Sequence, residues 1–161
     1  MKYISFLTTV LLLLVTSNSV SARTKHKQQY EIEIAEIGQP GLLVIRTWCY
    51  SKKPNIPDTT FKECAIKGVL FVGLNDSGRM KGRKALVEDG YEKHKEYFDS
   101  FFKDGDFLKY TKMAMNGYVE QNSIVKVGKL YKVAKIVVIS FQDLRLKLEN
   151  DKIIKGLNSG F

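Results

Sequence analysis

From Tyr30 onward the chain first alternates and then stripes. Tyr30-Glu-Ile-Glu-Ile34 sets apolar against acidic residues in strict alternation, the period of a strand with one wet face. Gly38-Gln-Pro-Gly41 reads as a turn. Leu42 to Tyr50 is dense in branched and aromatic residues and predicts a second strand, paired to the first as a hairpin. Two prolines make Ser51 to Pro57 a loop. Phe61, Ala65, Gly68, Val69 and Val72 then recur at helical spacing. Thr60-Phe-Lys-Glu63 fits a capping box for this helix, with Asp58 and Thr59 as rival caps. Asn75 to Gly90 is a basic, glycine-containing loop. Tyr91 to Lys103 predicts a second helix, with Tyr91, His94, Tyr97, Phe98, Phe101 and Phe102 along one side.

The second half returns to strands. Phe107 to Met115 predicts a strand, Asn116-Gly117 a tight turn, and Ser123 to Val127 a short strand or loop. Tyr131 to Ile139 is the strongest strand pattern. Its closing Ile136-Val-Val-Ile139 is apolar on both faces, which places it centrally in a sheet. Ser140 is positioned to cap a last helix from Phe141 to about Asn150, with Leu144 and Leu148 facing inward. The tail from Lys152 carries Ile153, Ile154, Leu157 and Phe161, part of which is expected to dock. Strands and helices do not alternate regularly. The expected class is therefore α+β: a mostly antiparallel sheet of about four strands with helices on one face, a two-layer sandwich. It is expected as a single domain over residues 30–161.

The N-terminal segment has a different character. Lys2 precedes a mainly apolar run from Ile4 to Val15, then small and polar residues ending in Val20-Ser-Ala22. The run is about half of the roughly 20 residues that a membrane-spanning helix needs. Residues 1–22 therefore read as a secretory signal peptide, and residues 23–29 as a flexible basic arm. No cysteine lies at the cleavage site, so lipoprotein processing has no acceptor. The expectation is an exported protein, periplasmic or extracellular, with no stable transmembrane segment after cleavage.

Charge and composition narrow the chemistry. The formal net charge is +9, and the aromatic set is 9 Phe, 8 Tyr and 1 Trp. Two cysteines and two histidines are too few for a zinc finger or an iron–sulfur site, so neither metal nor cofactor is expected. Export makes nucleotides and nucleic acid poor partners. The positive charge suits anionic glycans, headgroups or acidic proteins, or serves solubility. Its compact clusters, Arg23-Thr-Lys25-His-Lys27 and Arg79-Met-Lys81-Gly-Arg83-Lys84, fall in segments where charge runs are usually solvated.

No catalytic residues are assigned. Gly73 and Gly78 have the spacing of a phosphate loop, but Arg79 and Met80 stand where that loop needs lysine and Ser or Thr. No Gly-x-Ser-x-Gly occurs. His94 lies on an aromatic helix face, strand alternation accounts for Glu31, Glu33 and Glu36, and Asp104 and Asp106 flank Gly105 as turn residues do. Cys49 and Cys64 are either a disulfide, which an exported protein can keep, or two separately buried thiols. The strand from Leu42 to Tyr50 puts Arg46, Trp48 and Tyr50 on one face, with Leu43, Ile45, Thr47 and Cys49 on the other. The first set forms either a recognition face, since Trp, Tyr and Arg dominate contact energies, or a core face with Arg46 paired at its margin.

The chain resembles a family of small uncharacterised secreted proteins of Bacteroidota. The resemblance rests on Leu43-Val-Ile-Arg-Thr-Trp-Cys-Tyr-Ser-Lys-Lys-Pro-Asn55, Cys64-Ala-Ile-Lys-Gly-Val-Leu-Phe71, Val127-Gly-Lys-Leu-Tyr-Lys-Val133 and the ending Ile153-Ile-Lys-Gly-Leu-Asn-Ser-Gly-Phe161. It implies no activity and no catalytic residues. In architecture the chain is similar to small envelope domains: the curli-secretion lipoprotein, the flagellar-assembly protein of the outer-membrane ring, and the lipoprotein activators of peptidoglycan synthases. That similarity implies binding to other proteins, or assembly, and fold analogy alone does not establish it. Two functions are carried forward. One is a non-catalytic envelope module that binds a protein, self-associates or contacts a glycan. The other is a small secreted hydrolase or glycan-active enzyme using Asp or Glu. Intact-mass analysis of the exported protein is expected to show Arg23 as its first residue; a mature form that keeps Met1 overturns the cleavage assignment.

Overall fold

The computed structural model describes residues 30–36, 38–76, 78, 81–114 and 123–156. Antiparallel pairing organises them. The strand β1 (Tyr30–Glu36) pairs with β2 (Leu42–Ser51), placing Glu31 opposite Trp48 and Glu33 opposite Arg46. A central strand, β5 (Leu130–Ser140), pairs along the whole of β2, from Leu42 opposite Ser140 to Ser51 opposite Tyr131. Along its other edge β5 carries two short strands end to end. These are β3 (Thr111–Met113), opposite Val137 to Ile139, and β4 (Ile124–Val127), opposite Leu130 to Val133. The open sheet thus has five strands, one more than expected, because β5 is 11 residues long and has room for both. The class is α+β.

Three α-helices complete the described fold: α1 (Asp58–Phe71), α2 (Lys95–Lys103) and α3 (Phe141–Asn150). They share one core with the sheet. Leu43, Ile45 and Cys49 of β2 meet Phe61, Ala65, Ile66, Val69 and Leu70 of α1, Phe98 and Phe101 of α2, and Leu144 and Leu148 of α3. Phe61, Phe98, Leu144 and Leu148 are fully buried. Ile153 and Ile154 pack on the same core, as expected of the tail; residues 157–161 lie outside the described residues.

Several local expectations are corrected. Pro57, not Thr60, occupies the N-cap of α1, and no side chain caps it; the Thr60 N–H donates to the Pro57 carbonyl at 3.0 Å. Pro57 brings extended backbone and no competing donor to that position. Val72 does not join the stripe and is half exposed, because the helix stops at Phe71. Tyr91 does not start a continuous α-helix. Glu92–His94 is a 3-10 turn, and His94, at φ −121° and ψ 30°, breaks the α-geometry before Lys95. Phe107 to Met115 is not one strand. Asp106–Tyr110 is a second 3-10 turn, which plants Phe107 in the core, and only Thr111–Met113 pairs. Ser140 holds the N-cap position of α3 without a side-chain bond. The Asn116-Gly117 turn lies outside the described residues.

The seating of α1 depends on a missing side chain. A Cβ at Gly68 would lie 2.3 Å from Ile32 Cδ1 and 3.0 Å from both Cγ1 and Cγ2. Ile32 is branched and stiff at χ1, so it has no easy retreat. At the N-terminal end of the helix, Lys135 Nζ of β5 donates to Asp58 Oδ1 at 2.6 Å. Gly68→Ala is expected to lower stability by about 1–2 kcal/mol, overpacking outweighing the gain of about 1 kcal/mol in helix propensity. Ile32→Val removes the Cδ1 atom, so most of that loss should vanish in the Ile32→Val background. Urea denaturation of the four proteins tests it, and an unchanged loss in the double variant overturns the contact.

Candidate functional site

Alternation along β2 sorts its side chains between two faces. Leu43, Ile45, Thr47 and Cys49 are buried beneath the helices. Arg46, Trp48 and Tyr50 stand on the opposite face and are partly exposed. They belong to the face that no described helix covers.

Register supplies their neighbours, since directly opposed residues in antiparallel strands share a face. Trp48 lies between Glu31 of β1 and Ala134 of β5, and the small Ala134 side chain is buried. Tyr50 lies opposite Lys132, which in turn lies opposite Val125 of β4. Arg46 lies between Glu33 and Ile136. Lys132 is the hub of this arrangement. Its Nζ donates to Glu31 Oε2 at 2.7 Å and sits 4.8 Å from the Trp48 ring centroid and 5.7 Å from that of Tyr50. The Tyr50 hydroxyl donates to Glu31 Oε1. Arg46 Nη1 reaches Glu33 Oε1 at 3.6 Å. Beyond Lys132, Val125, Val127 and Leu130 continue the face as an exposed apolar strip, with Val127 opposite Leu130.

The electrostatics follow from these contacts. Hydrogen bonds from Lys132 and then Tyr50 hold the Glu31 carboxyl below its ordinary range. The hydrogen bond to Glu31 raises the Tyr50 hydroxyl in turn. Lys132 thus lies against both rings, and the Glu31 carboxylate is shared by Lys132 and the Tyr50 hydroxyl. The arrangement offers a flat face with aromatic area, an apolar strip and charges already paired, which is suited to contact rather than to proton transfer.

Cys49 is buried on the inner face, and Cys64 is half-buried on α1. Both are free thiols, and they share a hydrogen bond. That bond, together with burial, pushes the Cys49 thiol up, and the same bond pulls Cys64 down. The helix does fold back across its own strand and bring the two together. Among the described residues, no group of three or more His, Cys, Asp or Glu could hold a metal ion. His94 makes a 3.2 Å contact with Asp89 at the edge of α2, away from β2.

Sequence reasoning selected Arg46, Trp48 and Tyr50 but passed over Lys132 and gave Glu31 no partner. Lys132 is 101 positions from Glu31, and the β1–β2 and β2–β5 registers together join them. Val125 and Val127 were legible as part of a short strand or loop over Ser123 to Val127, though not as an extension of this face.

Because the folded Glu31 titrates below its ordinary value of 4.5, its contribution to stability is complete above that pH and is lost as pH falls through the lowered value. Glu31→Gln is thus expected to cost up to about 1 kcal/mol at pH 7, as exposed ion pairs do. The gap from the parent protein should close as pH drops below 4.5. Urea titrations at a series of pH values check this, and a gap independent of pH overturns it. No protein-family model, curated protein or solved structure matches the chain.

Proposed function

We propose that the protein is an exported, non-catalytic module of the cell envelope that binds another protein through the sheet face bearing Arg46, Trp48 and Tyr50. The observation that carries this reading is the partial exposure of Trp48 and Tyr50 on the helix-free face, continuous with exposed Val125, Val127 and Leu130. A solvated sheet face ordinarily carries small polar or charged residues, and an apolar strip beside two fixed rings marks a contact surface. The rings already sit against Lys132, so little side-chain freedom is lost on binding. Arg46 can offer its guanidinium to a partner carboxylate or ring.

Export is the other half of the reading and rests on the pattern of residues 1–22. Among the described residues, no helix is long and apolar enough to cross a membrane. An oxidising compartment bears on Cys49 and Cys64 as well. Exchange with a disulfide-bearing oxidant would join their sulfurs and pass their two protons to the oxidant, which leaves as a dithiol, tying strand β2 to helix α1.

The test is the double variant Trp48→Ala with Tyr50→Ala. Capture of envelope proteins by the immobilised chain is read by mass spectrometry, and sedimentation equilibrium registers a second copy as the partner. The double variant should lose the captured protein while stability falls by no more than about 1–2 kcal/mol. Unfolding by several kcal/mol would make the rings core, and unchanged capture would move the binding surface elsewhere.

A further inference from the structure

The helical side of the molecule holds a cleft of about 590 Å³, within the range of small-ligand sites. One wall is the segment from Arg83 to Asp89; the other is Phe141 and Arg145 of α3 with Ile153, Ile154 and Lys155 behind it. Hydrogen bonds pin both walls. On the first, the N–H groups of Leu86 and Val87 donate to the carbonyls of Val69 and Leu70, at 3.2 and 2.9 Å, and Arg83 exchanges two backbone bonds with Leu74. Gly73, at φ +84°, makes this possible, since a Cβ there would lie 2.5 Å from the Arg83 carbonyl oxygen. On the second wall the N–H groups of Ile153 and Ile154 both donate to the Leu148 carbonyl. The cleft is built into the fold rather than left between loose loops.

Its lining is amphipathic, and its four cations outnumber its two carboxylates. Leu86, Phe141, Ile153 and Ile154 form apolar, half-buried surface. Arg83, Lys84, Arg145 and Lys155 face Glu88 and Asp89. Asp89 is already engaged by Lys93 at 2.7 Å and by His94. Arg145 is engaged through Nε by Glu149. Among the described residues, Arg83, Lys84 and Lys155 form no ion pair with any carboxylate. The Arg83 guanidinium carbon lies over the Phe141 ring, 5.0 Å from its centroid. A guanidinium held over a ring face keeps N–H donors for a two-oxygen acceptor.

We propose that this cleft binds a small amphipathic anion, with a carboxylate or phosphate head taken by Arg83 and Lys155 and an apolar body lying on Phe141, Ile153 and Ile154. The site is separate from the sheet face of the protein-binding reading and does not depend on it. The ligand's head supplies the counter-charge that these cations lack, and its body removes water from the isoleucine and phenylalanine surface.

Isothermal titration of the purified chain with octanoate, octyl phosphate and the uncharged octyl glucoside tests the proposal. Saturable one-to-one binding is expected for at least one of the two anions, and the one that binds identifies the head group. The glucoside should bind at least about tenfold more weakly. Arg83→Gln combined with Lys155→Gln should weaken the anion about tenfold or more, the scale of a lost charge-assisted contact. Both residues are exposed, so the fold should persist, and an unchanged thermal midpoint verifies it. Lys126→Gln, on the exposed strand β4, serves as the control and should leave binding intact. Failure of both anions to bind overturns the site, as does equal binding of the glucoside or indifference to the Arg83 and Lys155 changes.

Discussion

The approach of helix α1 to the sheet, permitted by the absent side chain at Gly68, is the constraint on which the remaining structure depends. With Ile32 of β1 directly against that glycine, α1 lies low enough for Phe61, Ala65 and Val69 to meet Ile45 and Cys49. The same seating brings Cys64 to Cys49 and lets Lys135 reach Asp58. It also fixes where the helix ends. The last carbonyls of a helix need partners outside its own ladder. Here the Gly68 carbonyl accepts from Val72 and Gly73, while Val69 and Leu70 accept from Leu86 and Val87. The segment after α1 is thereby drawn onto the core instead of hanging in solvent.

Covering one face of the sheet leaves the other with a problem of its own. Its residues cannot all be polar, because β2 and β5 are branched and aromatic along their length. The protein handles Trp48 and Tyr50 by placing Lys132 against both rings and anchoring that lysine to Glu31. A cation over a ring is weakly attractive, and its alkyl stem covers apolar surface while the charge stays wet. The arrangement makes the rings rigid without burying them. No such device covers Val125, Val127 and Leu130, which are each at least 37% exposed.

What the sequence showed depended on the range of the interactions involved. Alternation from Leu42 to Tyr50 sorted the two faces correctly, because a strand's side chains obey a period that needs no knowledge of the partner. The hairpin from Tyr30 to Tyr50, the central β5 and the inward Leu144 and Leu148 were legible for the same reason. Errors arose where tertiary contact overrode local pattern. Phe107 to Tyr110 looks extended, yet Phe107 reaches the core from a 3-10 turn. Thr60 looks like a cap, yet Pro57 holds that place. Arg83 and Lys84 are exposed, as a solvated charge run is expected to be, but the bonds from Leu86 to Val69 and from Val87 to Leu70 that draw their segment onto the core have no local signature. Lys132 was invisible as a site residue until the register set it beside Tyr50.

Net charge is the remaining link between composition and function, and its total says less than its distribution. A value of +9 suggests a diffuse attraction for anything acidic. On the outer sheet face, however, Lys132 is matched by Glu31 and Arg46 by Glu33, so the charges there orient a contact rather than supply long-range pull. On the helices, Lys67, Lys95 and Lys147 are matched within one turn by Glu63, Asp99 and Asp151. The cations left over in the cleft are different, because Arg83 and Lys155 stand beside apolar surface without an ion pair, and Asp89 of the same lining is engaged by Lys93 and His94. A charge in that setting is less screened than one in open solvent, and an anion entering it gains both contact and field. The basic composition thus resolves into two unequal parts. Paired charges fix the geometry of one face, and a small unmatched set on the other side of the molecule is where an acidic ligand would be drawn.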